Sequence, residues 1–270
     1  MKALVIAVSC CVLHFGIVSA ETTREEKGKR ILQEGVQALG GDAFKQVKDR
    51  VETGRAYSFY RERLTGLSRA RIYTRYLTKR EGNDPDMLLQ RERQAFGKDE
   101  DSIVLLLDKE GYQLTFRGAK PLPKEQIERY RLSTTMNFLY IVRHRLDEPG
   151  LIIEHKSSDV FENMPVDLVD ITDSQNRTVT VYFHRTTHLP VRQVFYRRDP
   201  ESKERIEEVT IFSKFRDVGG GVMWPFNILR LRDGEKIYEI FAESVTINND
   251  LKDDLFTLPA GSKILDKKSN

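Results

Sequence analysis

The stretch Val222-Met223-Trp224-Pro225-Phe226-Asn227-Ile228-Leu229 decides the fold, because it is apolar on both faces of an extended strand. Successive side chains of a β-strand point to opposite faces of the sheet. One face therefore carries Val222, Trp224, Phe226 and Ile228, and the other carries Met223, Pro225, Asn227 and Leu229. Such a strand needs cover on both faces of its sheet, or a lined cavity on one of them.

The following run, Ile237–Ile247, is also apolar on both sides. Simple alternation places Phe241 and Val245 on one face, and Tyr238 and Ile240 on the other. Two neighbouring strands of this kind predict either a core covered by helices or a cavity that holds an apolar ligand.

Outward from these strands, most of the chain consists of short extended runs separated by turn residues such as Gly219-Gly220-Gly221 and Asp233-Gly234. Thr178–His184 alternates for most of its length, as a half-buried strand does. The predicted strands are Val51–Tyr60, Leu67–Leu77, Met87–Phe96, Ser102–Leu107, Tyr112–Arg117, Leu151–Phe161, Val166–Thr172, Thr178–His184, Val191–Arg197, Glu207–Arg216, Val222–Arg232 and Ile237–Ile247.

Three segments have helical patterns instead. Thr23 is the predicted N-terminal cap of a first helix, which ends at Gly40-Gly41. Asp42 is the predicted cap of a short second helix that buries Phe44 and Val47. A single long helix is predicted from Ile127 to Val142, with an apolar face wide enough to lie across the sheet. A sheet of this many strands curls, because twist accumulates from strand to strand. We therefore predict an α+β, mainly β fold: a large curved antiparallel sheet, or incomplete β-barrel, with helices covering its concave face.

The first twenty residues have the pattern of a cleavable signal peptide, with Lys2, an apolar run and Val18-Ser19-Ala20 before Glu21. The apolar run is shorter than the roughly 20 residues that span a bilayer. Two alternatives are a retained N-terminal anchor and a lipoprotein signal in which Cys10 or Cys11 is lipidated. The expected mature chain, residues 21–270, forms one periplasmic or secreted domain without cysteine, so neither disulfides nor a cysteine nucleophile are expected.

The charge is high in density but nearly balanced, with 44 Lys and Arg against 41 Asp and Glu and a formal net charge of +3. A nucleic-acid-binding protein shows a clustered basic face, and here acids lie within or beside the short basic runs. We therefore expect no nucleic-acid partner. Because no second long apolar stretch follows the signal, we expect peripheral rather than integral contact with a membrane.

Three common motifs for catalysis or phosphate binding are absent from the sequence. It has no HExxH, no G-x-S-x-G and no phosphate-binding Gly-Lys-Ser/Thr loop. His184 and His188 are four residues apart, but they straddle a strand end and a turn, so we interpret them as turn histidines rather than metal ligands. We predict no catalytic residue, no metal and no cofactor.

Two segments resemble a known family. Ala38-Leu39-Gly40-Gly41-Asp42-Ala43-Phe44, running into Val51-Glu52-Thr53-Gly54, resembles the start of periplasmic proteins of the LolA/LolB-like lipoprotein-sorting type. The stretch from Phe215 to Pro225, continuing to Leu255-Phe256-Thr257-Leu258-Pro259, resembles their end. The resemblance implies an incomplete barrel whose cavity takes up acyl chains, with an arginine that holds the lid closed. It also implies a lipidated N-terminal cysteine in the receptors, which the expected mature chain lacks.

These observations predict a non-catalytic carrier or receptor of the cell envelope that holds an acyl chain, a lipid or a lipoprotein in an apolar cavity. The residues expected to line that cavity are Trp224, Phe226, Phe241, Phe138 and Leu139. An alternative is an envelope sensor or protein-interaction module that uses the same fold to bind a partner protein. An envelope hydrolase is disfavoured by the missing motifs.

Overall fold

The computed structural model describes residues 23–78 and 87–265, so the predicted signal peptide and the predicted turn Gly82-Asn83-Asp84-Pro85 lie outside the described residues. The fold is one antiparallel sheet of thirteen strands with short helices, which confirms the predicted fold class. The strands are β1 (Asp49–Tyr60), β2 (Arg63–Tyr76), β3 (Gln90–Phe96), β4 (Ser102–Leu106), β5 (Gly111–Thr115), β6 (Gly118–Pro121), β7 (Ile152–Phe161), β8 (Met164–Thr172), β9 (Thr178–His184), β10 (Pro190–Arg198), β11 (Arg205–Asp217), β12 (Met223–Arg232) and β13 (Glu235–Ile247). The helices are α1 (Arg24–Ala38), α2 (Asp42–Lys45), α3 (Lys124–Thr135) and α4 (Phe138–His144), with a 3-10 turn at Asp253–Phe256.

One strand pair gives the sheet its topology. Consecutive strands of the chain pair with each other except β6 and β7, and β1 also pairs with β13, so the order runs from β6 through β1 and β13 to β7. The β1–β13 pair, which we call the seam, places Arg50 opposite Ile247. Within the described residues β6 and β7 are the edge strands, and α3 and α4 lie between them in the chain. The barrel is therefore incomplete.

The seam contains a β-bulge at Gly54. Its register shifts between Thr53 and Gly54, where Ser244 and then Ala242 are the partners, so Glu243 is the extra residue. A β-carbon on Gly54 would overlap the carbonyl oxygen of Phe241. Only glycine fits this close approach of the two backbones.

The main core lies between one end of the sheet and helices α1, α2 and α4. It contains Leu39 and Phe44 from the first helices, Phe138 and Ile141 from α4, and inward-facing residues of β7 to β13. Helix α1 lies directly on the edge of the sheet because Gly28 has no side chain, and a β-carbon there would be 2.6 Å from the backbone of Glu154 in β7.

Helix α1 begins as predicted. The hydroxyl of Thr23 accepts the backbone N–H of Glu26, and the Glu26 carboxylate accepts the backbone N–H of Thr23. Asp42 was predicted as the cap of α2, but Gly41 occupies that position and Asp42 is the first helical residue. Strand β6 was not predicted, because its four residues Gly118–Pro121 are too few to show an alternation.

The predicted long helix is wrong in one respect, because it breaks after Thr135 into α3 and α4. The Asn137 side chain caps α4 by accepting the N–H of Leu139 at 2.9 Å. Gln193, buried in β10, accepts the N–H of Phe138 at 2.8 Å and donates to the carbonyl of Met136 at 3.2 Å. The break is stable because this glutamine satisfies backbone groups on both sides of it.

Candidate functional site

An open cavity of about 600 Å³ lies between the concave face of the sheet and helix α3. That volume is within the range of small-molecule sites in proteins, roughly 300–1,000 Å³. The interior of the sheet is therefore not completely filled by its own helices. We call this space the main cavity.

The lining of the main cavity is amphipathic. Inward-facing strand residues supply an apolar wall that includes Ala56, Phe96, Val104, Leu106 and Phe195. Helix α3 supplies a mostly polar wall, because Gln126, Arg129, Tyr130, Ser133 and the following Asn137 recur every three or four residues and so share one face. A ligand in this space meets apolar side chains on one side and hydrogen-bonding groups on the other.

Two arginines fix α3 over the sheet. Arg131 donates to both the carboxylate and the backbone carbonyl of Asp108, at the turn between β4 and β5. Arg145, after α4, donates at 2.7 Å to the carbonyl of Thr135, the last residue of α3. The middle of α3 is thus attached to the sheet, and its end is attached to the segment that follows α4.

A smaller inner chamber of about 100 Å³ continues from the main cavity. The two spaces share five lining residues: Gln94, Tyr130, Ser133, Asn137 and Arg230. Trp224 and Arg50 lie at the bottom of the chamber, where the Arg50 guanidinium stacks 4.0 Å from the centroid of the indole ring. Arg50 also donates to the hydroxyls of Tyr76 and Thr74, at 2.9 and 3.0 Å.

Glu52 is the buried acid beside this chamber, with a side chain that is 2% exposed. One carboxylate oxygen lies 3.6 Å from Nε of Arg50, and the other has no hydrogen-bond partner among the described residues. Nε1 of Trp224 likewise lacks a partner there. A buried polar atom without a hydrogen bond is costly to the native state.

Burial raises the pKa of Glu52, and the neighbouring charge of Arg50 opposes that rise only in part. Above the ordinary glutamate pKa of about 4.3, the native state then retains a proton that the unfolded state has lost. This carboxylate therefore makes the protein less stable as the pH rises from the ordinary glutamate pKa toward the raised pKa of the native state. In Glu52→Gln we expect this pH dependence to disappear, so that the stability of the variant relative to wild type increases with pH.

Urea unfolding from about pH 4 to about pH 8 measures this difference. Glu243→Gln is the matched control, because Glu243 is an exposed carboxylate, paired with Arg55 at 3.3 Å. A difference between Glu52→Gln and wild type that does not vary with pH would contradict a raised pKa.

The five residues predicted to line the ligand site occupy three different environments. Trp224 and Leu139 line the inner chamber. Phe138 is fully buried, edge-to-face with Phe183 at 5.2 Å, and Phe226 is buried beneath the guanidinium of Arg216. These two phenylalanines belong to the core.

Phe241 lies on the other side of the sheet. It packs edge-to-face on Tyr57 at 5.7 Å, while the adjacent Ile240 is buried on the concave side with Ala56. The extra residue Glu243 reverses the alternation between Phe241 and Val245, so Val245 enters the core and Phe241 does not. Phe241 therefore lines neither the main cavity nor the inner chamber.

Apolar alternation along the strands does not reveal the polar wall of α3. The repeat of Gln126, Arg129, Ser133 and Asn137 at helical spacing is visible in the sequence. Beside the apolar Ile127 and Leu132, it looks like the solvent face of an amphipathic helix. The helical spacing alone does not show that the sheet curves away from α3 and leaves a cavity under this face.

His184 and His188 lie at the β9–β10 turn, as predicted. Nδ1 of His184 accepts the backbone N–H groups of Thr186 and Thr187, and Nδ1 of His188 lies 3.3 Å from a carboxylate oxygen of Glu34. Within residues 23–78 and 87–265, no group of three or more His, Cys, Asp or Glu side chains is placed to hold a metal ion. In the same residues no helix has both the length and the apolar character that crossing a membrane requires.

Comparison with solved structures identifies the fold. A domain from Vibrio parahaemolyticus described as an outer membrane lipoprotein-sorting protein superposes with a TM-score of 0.55 at 12% identity, over 86% of this chain and 97% of that one. A DUF1329 family protein from Desulfovibrio piger superposes with a TM-score of 0.55 at 12% identity, over 85% of this chain and 97% of that one. The chain has the LolA-like fold. The fold that the sequence resemblance implies is thereby confirmed.

A LolA superfamily protein from Nitrosomonas europaea has a TM-score of 0.49 at 13% identity, over 85% of this chain and 97% of that chain. No family model matches the sequence, and no curated protein matches it either. The likeness to solved structures is therefore one of fold.

Proposed function

We propose that this LolA-like chain is a non-catalytic carrier or receptor of the cell envelope, which holds the acyl chain of a lipid or lipoprotein in the main cavity. The observation that carries the proposal is the open space between the sheet and α3, whose strand side is apolar. Each methylene that leaves water for such a wall contributes about 0.8 kcal/mol. The transfer free energy of several methylenes together exceeds the entropy cost of ordering the bound chain. Binding therefore needs no covalent step.

The proposal includes the place and mode of action expected from the sequence. The protein acts in the periplasm or outside the cell after loss of residues 1–20, and it meets membranes peripherally. Trp224 and Leu139 are the predicted lining residues that we retain, and the apolar wall of Ala56, Phe96 and Leu106 joins them.

The alternative is a module that binds an envelope protein, and this function does not require a ligand in the main cavity. A partner protein that docks on a strand edge or on the outer face leaves the main cavity unused. Native mass spectrometry of protein purified from its own envelope distinguishes the two, because bound lipid supports the carrier and a bound polypeptide without lipid contradicts it.

Ser58→Phe is expected to weaken lipid binding about tenfold. Ser58 lies on the concave side of β1 and lines the main cavity, so a phenyl ring there occupies the space of roughly two methylenes of the ligand. Trp224 is the only tryptophan in the chain and lines the adjoining chamber, which allows a direct measurement. Energy transfer from Trp224 to a dansyl-labelled fatty acid gives the dissociation constant.

Ser244→Phe is the matched control, since Ser244 is an exposed serine on the opposite face of the same sheet. Its affinity is expected to equal that of the wild type. Wild-type protein that shows no energy transfer would contradict the carrier function. Equal loss of affinity in both variants would mean that the acyl chain does not enter the main cavity.

A further inference from the structure

Arginines cluster on one side of the main cavity. Arg197 in β10 and Arg232 in β12 both donate from Nε to the same carboxylate oxygen of Glu208 in β11, at 2.8 and 3.1 Å. The Glu208 side chain is 13% exposed, and that of Arg197 is also 13% exposed. Two guanidinium groups therefore share one largely buried carboxylate, which leaves the cluster with an excess of positive charge.

A third arginine approaches the cluster from the helix above. Arg129 of α3 lines the main cavity together with Arg232 and Glu208. It forms no ion pair with another residue of the described chain. Partial burial, together with the like charges of Arg232 and Arg197, lowers the pKa of Arg129. Three cations thus converge from the sheet and from its cover, with Glu208 as their one shared counter-charge.

Such an arrangement is unfavourable in the empty protein and favourable once an anion enters. Like charges at close range repel each other more strongly in a partly buried site than in water. Arginine forks match the oxygens of a carboxylate or a phosphate, and such charge-assisted hydrogen bonds are stronger than neutral ones. The apolar wall that includes Phe96 and Leu106 lies in the same cavity, where it can receive a chain attached to the anion.

We propose that Arg129 and Arg232, which line the main cavity, together with Arg197, which shares Glu208 with Arg232, form a subsite for the anionic head of an amphiphile, either a carboxylate or a phosphate, whose chain lies against the apolar wall. This inference rests on the proposed function, because it names the ligand class of the same cavity. Glu208 orients two of the arginines and limits the affinity for anions by its own negative charge.

Isothermal titration calorimetry with three ligands of equal chain length tests the subsite: dodecanoate, dodecyl phosphate and dodecanol. We expect wild-type protein to bind at least one of the two anions at least tenfold more tightly than the neutral alcohol. Which anion binds more tightly identifies the source as a carboxylate or a phosphate head. In Arg129→Gln, the affinity for the preferred anion should fall roughly ten- to a hundred-fold, with little change for dodecanol.

Lys124→Gln is the control, since it removes one positive charge from the same helix at a side chain that is 82% exposed. Equal affinity of wild-type protein for dodecanol and both anions would overturn the subsite and leave the carrier function intact. Equal losses in Lys124→Gln and Arg129→Gln would also overturn it, because the effect would then follow from net charge alone. If none of the three ligands binds, the carrier function itself fails, and the subsite fails with it.

Discussion

Replacing Gly54 by valine is expected to lower the free energy of unfolding by at least about 3 kcal/mol. The bulge at Gly54 brings β1 so close to β13 that a β-carbon would overlap the carbonyl oxygen of Phe241. A backbone atom cannot turn away as a flexible side chain can, so the strands must separate locally. Among the described residues, the seam is also the one strand pair that joins the strands preceding α3 to those that follow α4.

Urea unfolding followed by circular dichroism measures this loss. Arg55→Val is the matched control, because it places the same side chain at the next position of β1, where Arg55 is exposed and paired with Glu243. Its effect should remain below about 1 kcal/mol. Similar stability of Gly54→Val and Arg55→Val would contradict the close approach of the two strands.

Asp173→Asn is expected to destabilise the protein by about 3 kcal/mol at neutral pH. This carboxylate is 5% exposed and accepts hydrogen bonds from Arg145 at 3.1 Å and from Arg177 at 2.8 Å, as well as from two backbone N–H groups of its own turn. Without its charge, the buried Arg145 keeps its ion pair with Glu148, at 2.8 Å, but loses the one with Asp173. Since Arg145 also binds the last carbonyl of α3, the cover of the cavity loosens together with the β8–β9 turn.

The pH dependence of this effect has a definite sign. Burial opposes ionisation of Asp173, but the hydrogen bonds from Arg177 and Arg145 outweigh it and hold the pKa of Asp173 below its usual value. The stability that the carboxylate contributes is therefore complete above the unfolded pKa of about 3.9, and it is lost as the pH falls through the lower folded value.

The difference between wild type and Asp173→Asn should accordingly be constant near neutrality and shrink in acid below about pH 4. Denaturant unfolding at a series of pH values measures it. Asp147→Asn, at an exposed aspartate two residues after Arg145, serves as the control and should show little effect. A difference that persists unchanged into acid would contradict the depressed pKa.

Local patterns in the sequence predicted most of the strands, because alternation and turn residues are local properties. Thr178–His184 was predicted at its observed bounds, and the cap at Thr23 was also correct. The break between α3 and α4 was not predictable, since it depends on Gln193, which lies far along the chain in β10. In the sequence, a glutamine that will be buried cannot be distinguished from any other polar residue of a strand.

The lining of the site was predicted correctly only where side chains of a strand alternate regularly between the two faces of the sheet. Trp224 faces the inner chamber because β12 carries it on the same face as Ile228. Phe241 faces away, because one extra residue in β13 shifts the register against β1, and no local pattern marks that bulge. The arginines around Glu208 come from two strands and one helix, so only the fold brings them together.

The seam also has a consequence during synthesis. The ribosome makes β1 early, but its partner β13 emerges only after almost the whole described chain, since Arg50 pairs with Ile247. Hairpins such as β1–β2 can form as soon as they leave the ribosome, whereas the pairing of β1 with β13 must wait for the last strand. Until then one side of β1 offers unpaired backbone groups to any other extended chain. A newly made chain is therefore most exposed to aggregation just before completion, and a holdase that shields β1 should raise its yield most.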